Sequence, residues 1–159
     1  MSKKFLIFSI TLILGCFYSL KPPLPEGIKT IGVESFTNTS ERPGIEVSVT
    51  QSFIDGIIGD RRIPLKDPDK CDLLIKGEIK RYLRTPLGVM GEGEVYSYKV
   101  IINARIKFFK KDGTELFKEK EFSGEAVYDV REKTEDEAIN EAAKDLAIKV
   151  IQYIYAQTI

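Results

Sequence analysis

From Tyr96 to Phe108 the chain alternates over thirteen residues, with Tyr96, Tyr98, Val100, Ile102, Ala104, Ile106 and Phe108 in one set of positions and Ser97, Lys99, Asn103, Arg105 and Lys107 in the other. Successive side chains of a strand point to opposite faces, so a period of two sustained this long dictates a strand with one apolar and one wetted face. Such a strand belongs to an antiparallel-type sheet that must bury its apolar side under a second layer.

The flanking segments supply its neighbours. From Asp72 to Arg84 the chain alternates again, with Leu73, Ile75, Gly77, Ile79 and Leu83 on one face and Lys76, Glu78 and Lys80 on the other. Residues 85 to 93 carry Pro86, Gly88, Gly91 and Gly93, and this density of breakers predicts a hairpin loop in which the ladder stops. Lys111-Asp112-Gly113-Thr114 is a tight Asp-Gly hairpin signal, and Leu116 to Tyr128 returns as a further strand. Earlier, Lys29 to Phe36 reads as a strand closed by a turn at Asn38, Thr39 and Ser40.

Two helices complete the second layer. Pro43 suits a first helical position, where its missing N–H costs nothing, and Ile45, Val49, Ser52, Phe53 and Ile57 then recur at helical spacing up to Ile58, with Gly59 as the expected stop. Thr134 with Glu137 three residues on is a capping-box pattern. Ile139, Ala142, Ala143, Leu146, Val150, Tyr153 and Ile154 then form a stripe opposite Glu141, Lys144, Asp145 and Lys149. Strand, helix, three strands, helix is the order of an α+β two-layer sandwich: a four-stranded sheet with both helices packed on one face.

The amino-terminal segment is of another kind. Lys3 and Lys4 precede an apolar run from Phe5 to Leu14, which is too short to span a hydrocarbon core but suits a secretion signal. Ile13-Leu14-Gly15-Cys16 resembles the lipobox of bacterial lipoproteins, which implies cleavage before Cys16 and acylation of its thiol, with palmitate among the expected chains. Phe17 in place of an aspartate resembles an outer-membrane sorting signal. Residues 1–15 are therefore expected to be a removed signal peptide. Residues 16–27, with three prolines, read as the lipidated cysteine and an extended tether, and residues 28–159 as one domain.

Composition narrows the function. There are 24 basic and 24 acidic residues, and losing Lys3 and Lys4 leaves a net charge of −2, which implies no nucleic-acid partner. The chain has no histidine, the commonest metal ligand and the usual general base, so no cofactor, metal or catalytic site is expected. Once Cys16 is acylated, Cys71 is left as a small apolar residue at the start of a strand. Acid pairs such as Asp67 with Asp69, or Glu92 with Glu94, lie in loops without a base or nucleophile beside them, so an enzyme has little support. The central hairpin mixes apolar groups into its tip, a form that suits either insertion into a partner or a plain flexible loop.

A more specific resemblance rests on several stretches in order: Cys16-Phe17-Tyr18-Ser19-Leu20, Leu24 to Val33, Phe36-Thr37-Asn38-Thr39, Pro43-Gly44-Ile45-Glu46, Asp72 to Ile79, Arg84-Thr85-Pro86-Leu87, and the strand from Tyr98 to Ala104-Arg105-Ile106. Together they resemble the LptE family of lipopolysaccharide-assembly lipoproteins. The resemblance implies a lipid-tethered protein that binds and plugs the LptD β-barrel one-to-one at the outer membrane, facing the periplasm and the barrel lumen, and aids insertion of lipopolysaccharide into the outer leaflet. Leu87, Val89 and Met90 are then candidate barrel contacts, and Arg81, Arg84, Arg131 and Lys133 candidate contacts to lipopolysaccharide phosphates. Glu92 and Glu94 stand in the loop where a cation would serve that role better. The competing expectation is a lipid-anchored binding module of another envelope secretion or assembly machine.

Overall fold

A computed structural model describes residues 24–89 and 94–157. Its elements are β1 (Ile31–Val33), β2 (Thr37–Asn38), α1 (Ile45–Asp60), β3 (Leu73–Val89), β4 (Val95–Lys110), β5 (Glu115–Asp129) and α2 (Glu135–Ala156). They form the α+β two-layer arrangement that the alternation and the two apolar stripes dictate. The sheet order is β1-β3-β4-β5, with β2 also on β3. β3, β4 and β5 are antiparallel, whereas β1 and β2 both run parallel to β3.

The first strand of the expected four is thus two short ones on one edge. Ile31 to Val33 pair with Leu73 to Ile75, and Thr37 and Asn38 pair with Glu78 and Ile79. Between them Phe36 turns into the core, where its ring centroid lies 4.7 Å from that of Phe53 and its N–H donates to Thr50 Oγ1 at 3.0 Å. Gly77 makes room for this: a Cβ there would stand 2.0 Å from the Phe36 ring.

α1 buries Ile45, Val49, Ser52, Phe53 and Ile57, the predicted stripe, while Ile58 is exposed. Its ends differ from expectation. Gly44, at φ 88°, makes the turn into the helix, and Pro43 lies before it. Gly59 stays helical, and the chain leaves through Arg61 at φ 56°. That exit is held by side chains: Arg62 pairs with Asp60 and lies 3.6 Å over the Tyr155 ring, and the Tyr155 hydroxyl donates to Asp60 Oδ2 at 2.8 Å.

β4 follows the predicted alternation, with Val100, Ile102, Ala104, Ile106 and Phe108 fully buried. β3 does not. Ile79 faces Ala104 but Arg81 faces Asn103, so Lys80 is an extra residue and the strand exchanges faces there. Tyr82, opposite Ile102, turns inward, and Leu83, opposite Ile101, turns outward and is 39% exposed. β3 also runs on through Thr85 and Pro86 to Val89 where a loop was expected. Pro86 is tolerated because β1 and β2 cover only the first part of β3, leaving an edge with no partner for its missing N–H.

The predicted capping box is present in α2: Glu137 N–H donates to Thr134 Oγ1 at 3.2 Å, and Thr134 N–H to Glu137 Oε2 at 2.8 Å. α2 packs on β5, with its Ala142 and Leu146 against Gly124, and on α1, where Gly56 meets Ile151. It also covers part of the open edge of β5, because Asp145 accepts from Glu125 N–H at 2.9 Å and Lys149 donates to the Ser123 carbonyl at 2.9 Å. At the other end of the sheet, Leu24 packs against the core and Ile28 N–H donates to the Pro25 carbonyl at 3.1 Å, so residues 24–27 form a docked turn. Cys71 is buried and its thiol donates to the Pro68 carbonyl at 3.3 Å. Burial pushes that thiol's pKa up.

Candidate partner-binding site at the hairpin base

The β3–β4 hairpin rises past the rest of the fold. β5 accompanies β4 as far as the Ser97–Asp129 pair, opposite Gly88, and Val130 N–H still donates to the Tyr96 carbonyl at 2.9 Å, so among the described residues only the Val89–Val95 pair stands without a third strand. Leu87, at the top of β3, is 55% exposed. Of the other expected barrel contacts, the Val89 side chain and Met90 lie outside the described residues, as does Cys16.

At the hairpin base the face exchange at Lys80 turns Arg84 to the helix side. Its guanidinium lies 3.4 Å over the Tyr98 ring, its Nε donates to the Tyr128 hydroxyl at 2.7 Å, and the same nitrogen stands 3.2 Å from Glu135 Oε2. The Tyr98 and Tyr128 rings are stacked with centroids 5.8 Å apart. Tyr82 donates to Glu135 Oε1 at 2.9 Å, and Arg42 pairs with Asp136 at 2.9 Å and reaches Glu135 at 3.9 Å. Burial, followed by the bond to Glu135, pushes the Tyr82 phenol's pKa up. Desolvation acts to lower the pKa of Arg84, and the bond to Tyr128 with the charge of Glu135 outweighs it.

The four cations expected to meet phosphates do not form one open patch. Arg81 and Arg84 project from opposite faces of β3. Arg131 forks onto Asp129, with Nε donating to Oδ1 at 2.8 Å, and lies 5.1 Å from the Tyr96 ring. Its bonds bring the Asp129 carboxyl down to about 2. Lys133 pairs with Glu141. Arg81 is exposed and makes no ion pair among the described residues.

The sheet face away from the helices divides in two. Near the β1 end it is a charge ladder: Lys76 with Glu34 at 2.7 Å, Lys80 with Glu78 at 3.0 Å, Arg105 with Glu121 at 3.1 Å and Lys107 with Glu119 at 3.2 Å. Toward the hairpin apolar groups enter it, with Leu83 beside Ile101 and Val127, 54% exposed, beside Lys99, which pairs with Glu125 at 2.5 Å. The sequence pattern hides this patch, since Leu83 reads as inward without the bulge. Tyr82, Tyr98, Tyr128 and Glu135 also escape it, because all but Tyr82 lie far from Arg84 along the chain. Asp67 pairs with Lys70 at 3.0 Å. Among the described residues no three potential ligands gather as a metal site, and no helix is long and apolar enough to cross a membrane.

A two-layer α+β domain with an ion-paired sheet face, an apolar patch and a projecting hairpin has the form of a binding domain. The chain belongs to the LptE family of lipopolysaccharide-assembly proteins, whose sequence pattern it matches over residues 28–154. No curated protein matches the chain. Among solved structures it is similar to an uncharacterized lipoprotein B from Nitrosomonas europaea, with 13% identity, a TM-score of 0.54, and 85% of this chain and 86% of that one covered. It is also similar to a minor lipoprotein from Acinetobacter baumannii, with 12% identity, a TM-score of 0.55, and 82% and 94% covered. The PelC dodecamer subunit from Paraburkholderia phytofirmans gives 12% identity, a TM-score of 0.56, and 85% and 93% covered. At such identities these likenesses are of fold.

Proposed function

We propose that this chain is an outer-membrane lipoprotein, anchored through acyl chains on Cys16, that binds and plugs the LptD β-barrel and aids the insertion of lipopolysaccharide into the outer leaflet. Membership of the LptE family over nearly the whole domain carries this proposal. The layout of the fold supports it. The chain joins the sheet beside the start of β3, whereas Leu87 stands fourteen residues further along that strand, roughly 45 Å away at 3.3 Å per residue. Leu24 lies eight positions after Cys16, a reach of at most about 28 Å, so an anchored domain holds its hairpin away from its anchor. A wide barrel with a polar inner wall suits a domain whose sheet face is ion-paired and hydrated. Exposed Leu87 gains most when a partner removes it from water.

Photo-cross-linking from Leu87, Val89 and Met90 in intact cells, with mass spectrometry of the adducts, tests the proposal. A large outer-membrane barrel is expected in the adducts, and depletion of this chain should lower the yield of assembled barrel and of surface lipopolysaccharide. Adducts without such a barrel, together with normal barrel assembly in depleted cells, would instead favour a binding module of another envelope machine.

A further inference from the structure

A two-stranded ribbon standing alone is marginally stable and free to twist. Past the row of Gly88, Ser97 and Asp129 the sheet is down to two strands at the Val89–Val95 pair, and register shifts between Pro86 and Val89 weaken the ladder that leads there. The direction of the hairpin must therefore be set at the base. There one side chain touches every neighbouring element: Arg84, on β3, stacks on Tyr98 of β4, donates to Tyr128 of β5 and pairs with Glu135 of α2. Glu135 is itself held by Tyr82, and Arg42 ties the same corner to the segment before α1.

We infer that Arg84 is the positioning residue of the hairpin: it clamps the base to the amino-terminal turn of α2 and presents Leu87 in one direction before any partner arrives. The use of Leu87 rests on the barrel-binding proposal above; the clamp itself does not. A planar guanidinium offers its face to Tyr98 and its edge to Tyr128 and Glu135 at once, which a lysine ammonium, a compact point charge, cannot do. A contact residue held in place in advance loses less freedom on binding, which raises affinity without adding a contact.

The test uses the mature, acylated chain in detergent, without any partner. One pair of spin labels, on Leu87→Cys and Ile148→Cys, reports the hairpin against α2. A control pair, on Val47→Cys and Ile148→Cys, reports the two helices against each other, all three sites being exposed. Cys16 is blocked by its acyl chain and Cys71 is buried. In the native background both distance distributions should be narrow. Arg84→Gln and Arg84→Lys should each broaden the hairpin distribution by roughly twofold, as expected when a local contact that orders a segment is lost, and leave the control unchanged. Unchanged hairpin widths, rescue by lysine, or equal broadening of both pairs would overturn the inference. Failure of the barrel proposal would show instead as missing barrel adducts from native Leu87, whatever the widths.

Discussion

Gly124 of β5 lies so close to Ala142 of α2 that a Cβ added to it would stand 2.1 Å from the Ala142 carbonyl oxygen, with Leu146 Cβ at 2.6 Å and Leu146 N at 2.9 Å. Two of these three atoms are backbone, which cannot rotate away, so the helix must move.

Gly124→Ala is therefore expected to destabilise the domain by about 2 to 3 kcal/mol, the upper part of the range for overpacking. Gly59→Ala is its control. That position is helical with nothing within 4 Å, and replacing a helical glycine there should stabilise by about 0.5 to 1 kcal/mol. Thermal melts check both, and a fall in Tm for both would mean that close approach is not what makes Gly124 costly to replace.

Ile102 and Asn103 test the register of β4. Ile102 is fully buried, so Ile102→Asp places an unpaired carboxylate in the core and should leave the domain unfolded. Asn103 accepts from Ser123 Oγ at 2.7 Å through Oδ1 on the other face, and an aspartate oxygen can take the same bond. Circular dichroism should show a cooperative melt for Asn103→Asp and none for Ile102→Asp.

This contrast also marks what the sequence could tell. A period of two over β4 and a period near 3.6 over α1 and α2 are local signals, and in those elements the buried positions follow them closely. The capping box is equally local, because Thr134 and Glu137 sit three residues apart. The β3 bulge has no such mark: Lys80 sits within an ordinary alternation, and only the pairing with β4 reveals it as extra. From that one residue follow the outward turn of Leu83 and the inward turn of Arg84. The loop expected at Pro86 failed because the rule against proline applies to a strand with neighbours on both sides, whereas this part of β3 is an edge. The pair of Arg131 with Asp129 is a local signal, since the two lie two residues apart. The partners of Arg84 lie 14, 44 and 51 residues along the chain.

Alkaline pH should loosen the end of α1. Burial, then the bond to Asp60, pushes the Tyr155 phenol up to about 12, against an ordinary value of about 10. A raised folded-state pKa means that the stabilisation is complete below pH 10 and is lost as pH rises from 10 through 12. Tm should fall over that window, and Tyr155→Phe should make the fall shallower. Asp129 works in the opposite direction. Its carboxyl is held at about 2 by Arg131, so its contribution is present above its ordinary value of about 3.9 and fades as pH falls toward 2.

For the anchor, Cys16→Ala should abolish incorporation of a fatty-acid probe and leave uncleaved or mislocalised precursor, because this thiol is the proposed acyl acceptor. Each buried methylene contributes about 0.8 kcal/mol, so loss of the chains should also release the domain from membranes. Equal labelling of native and variant chains would end the lipoprotein proposal.

The last prediction ranks the four cations. A cation already bound to a carboxylate must give up that bond before it can serve a phosphate, and removing it frees an acid that repels the ligand. Arg131 with Asp129, Lys133 with Glu141 and Arg84 with Glu135 are in that position. Arg81 is exposed without an ion pair among the described residues, on the same sheet face as the apolar patch of Leu83 and Ile101. Such a neighbourhood suits a ligand that carries phosphates next to acyl chains. Arg81→Ala should therefore weaken binding of purified lipopolysaccharide about tenfold, the equivalent of about 1.4 kcal/mol and within the range for one charge-assisted bond, whereas Lys133→Ala should change it less than about twofold. Binding is measured by titrating lipopolysaccharide onto the immobilised mature chain. A larger effect from Lys133→Ala, or no effect from Arg81→Ala, would remove Arg81 from the candidate contacts.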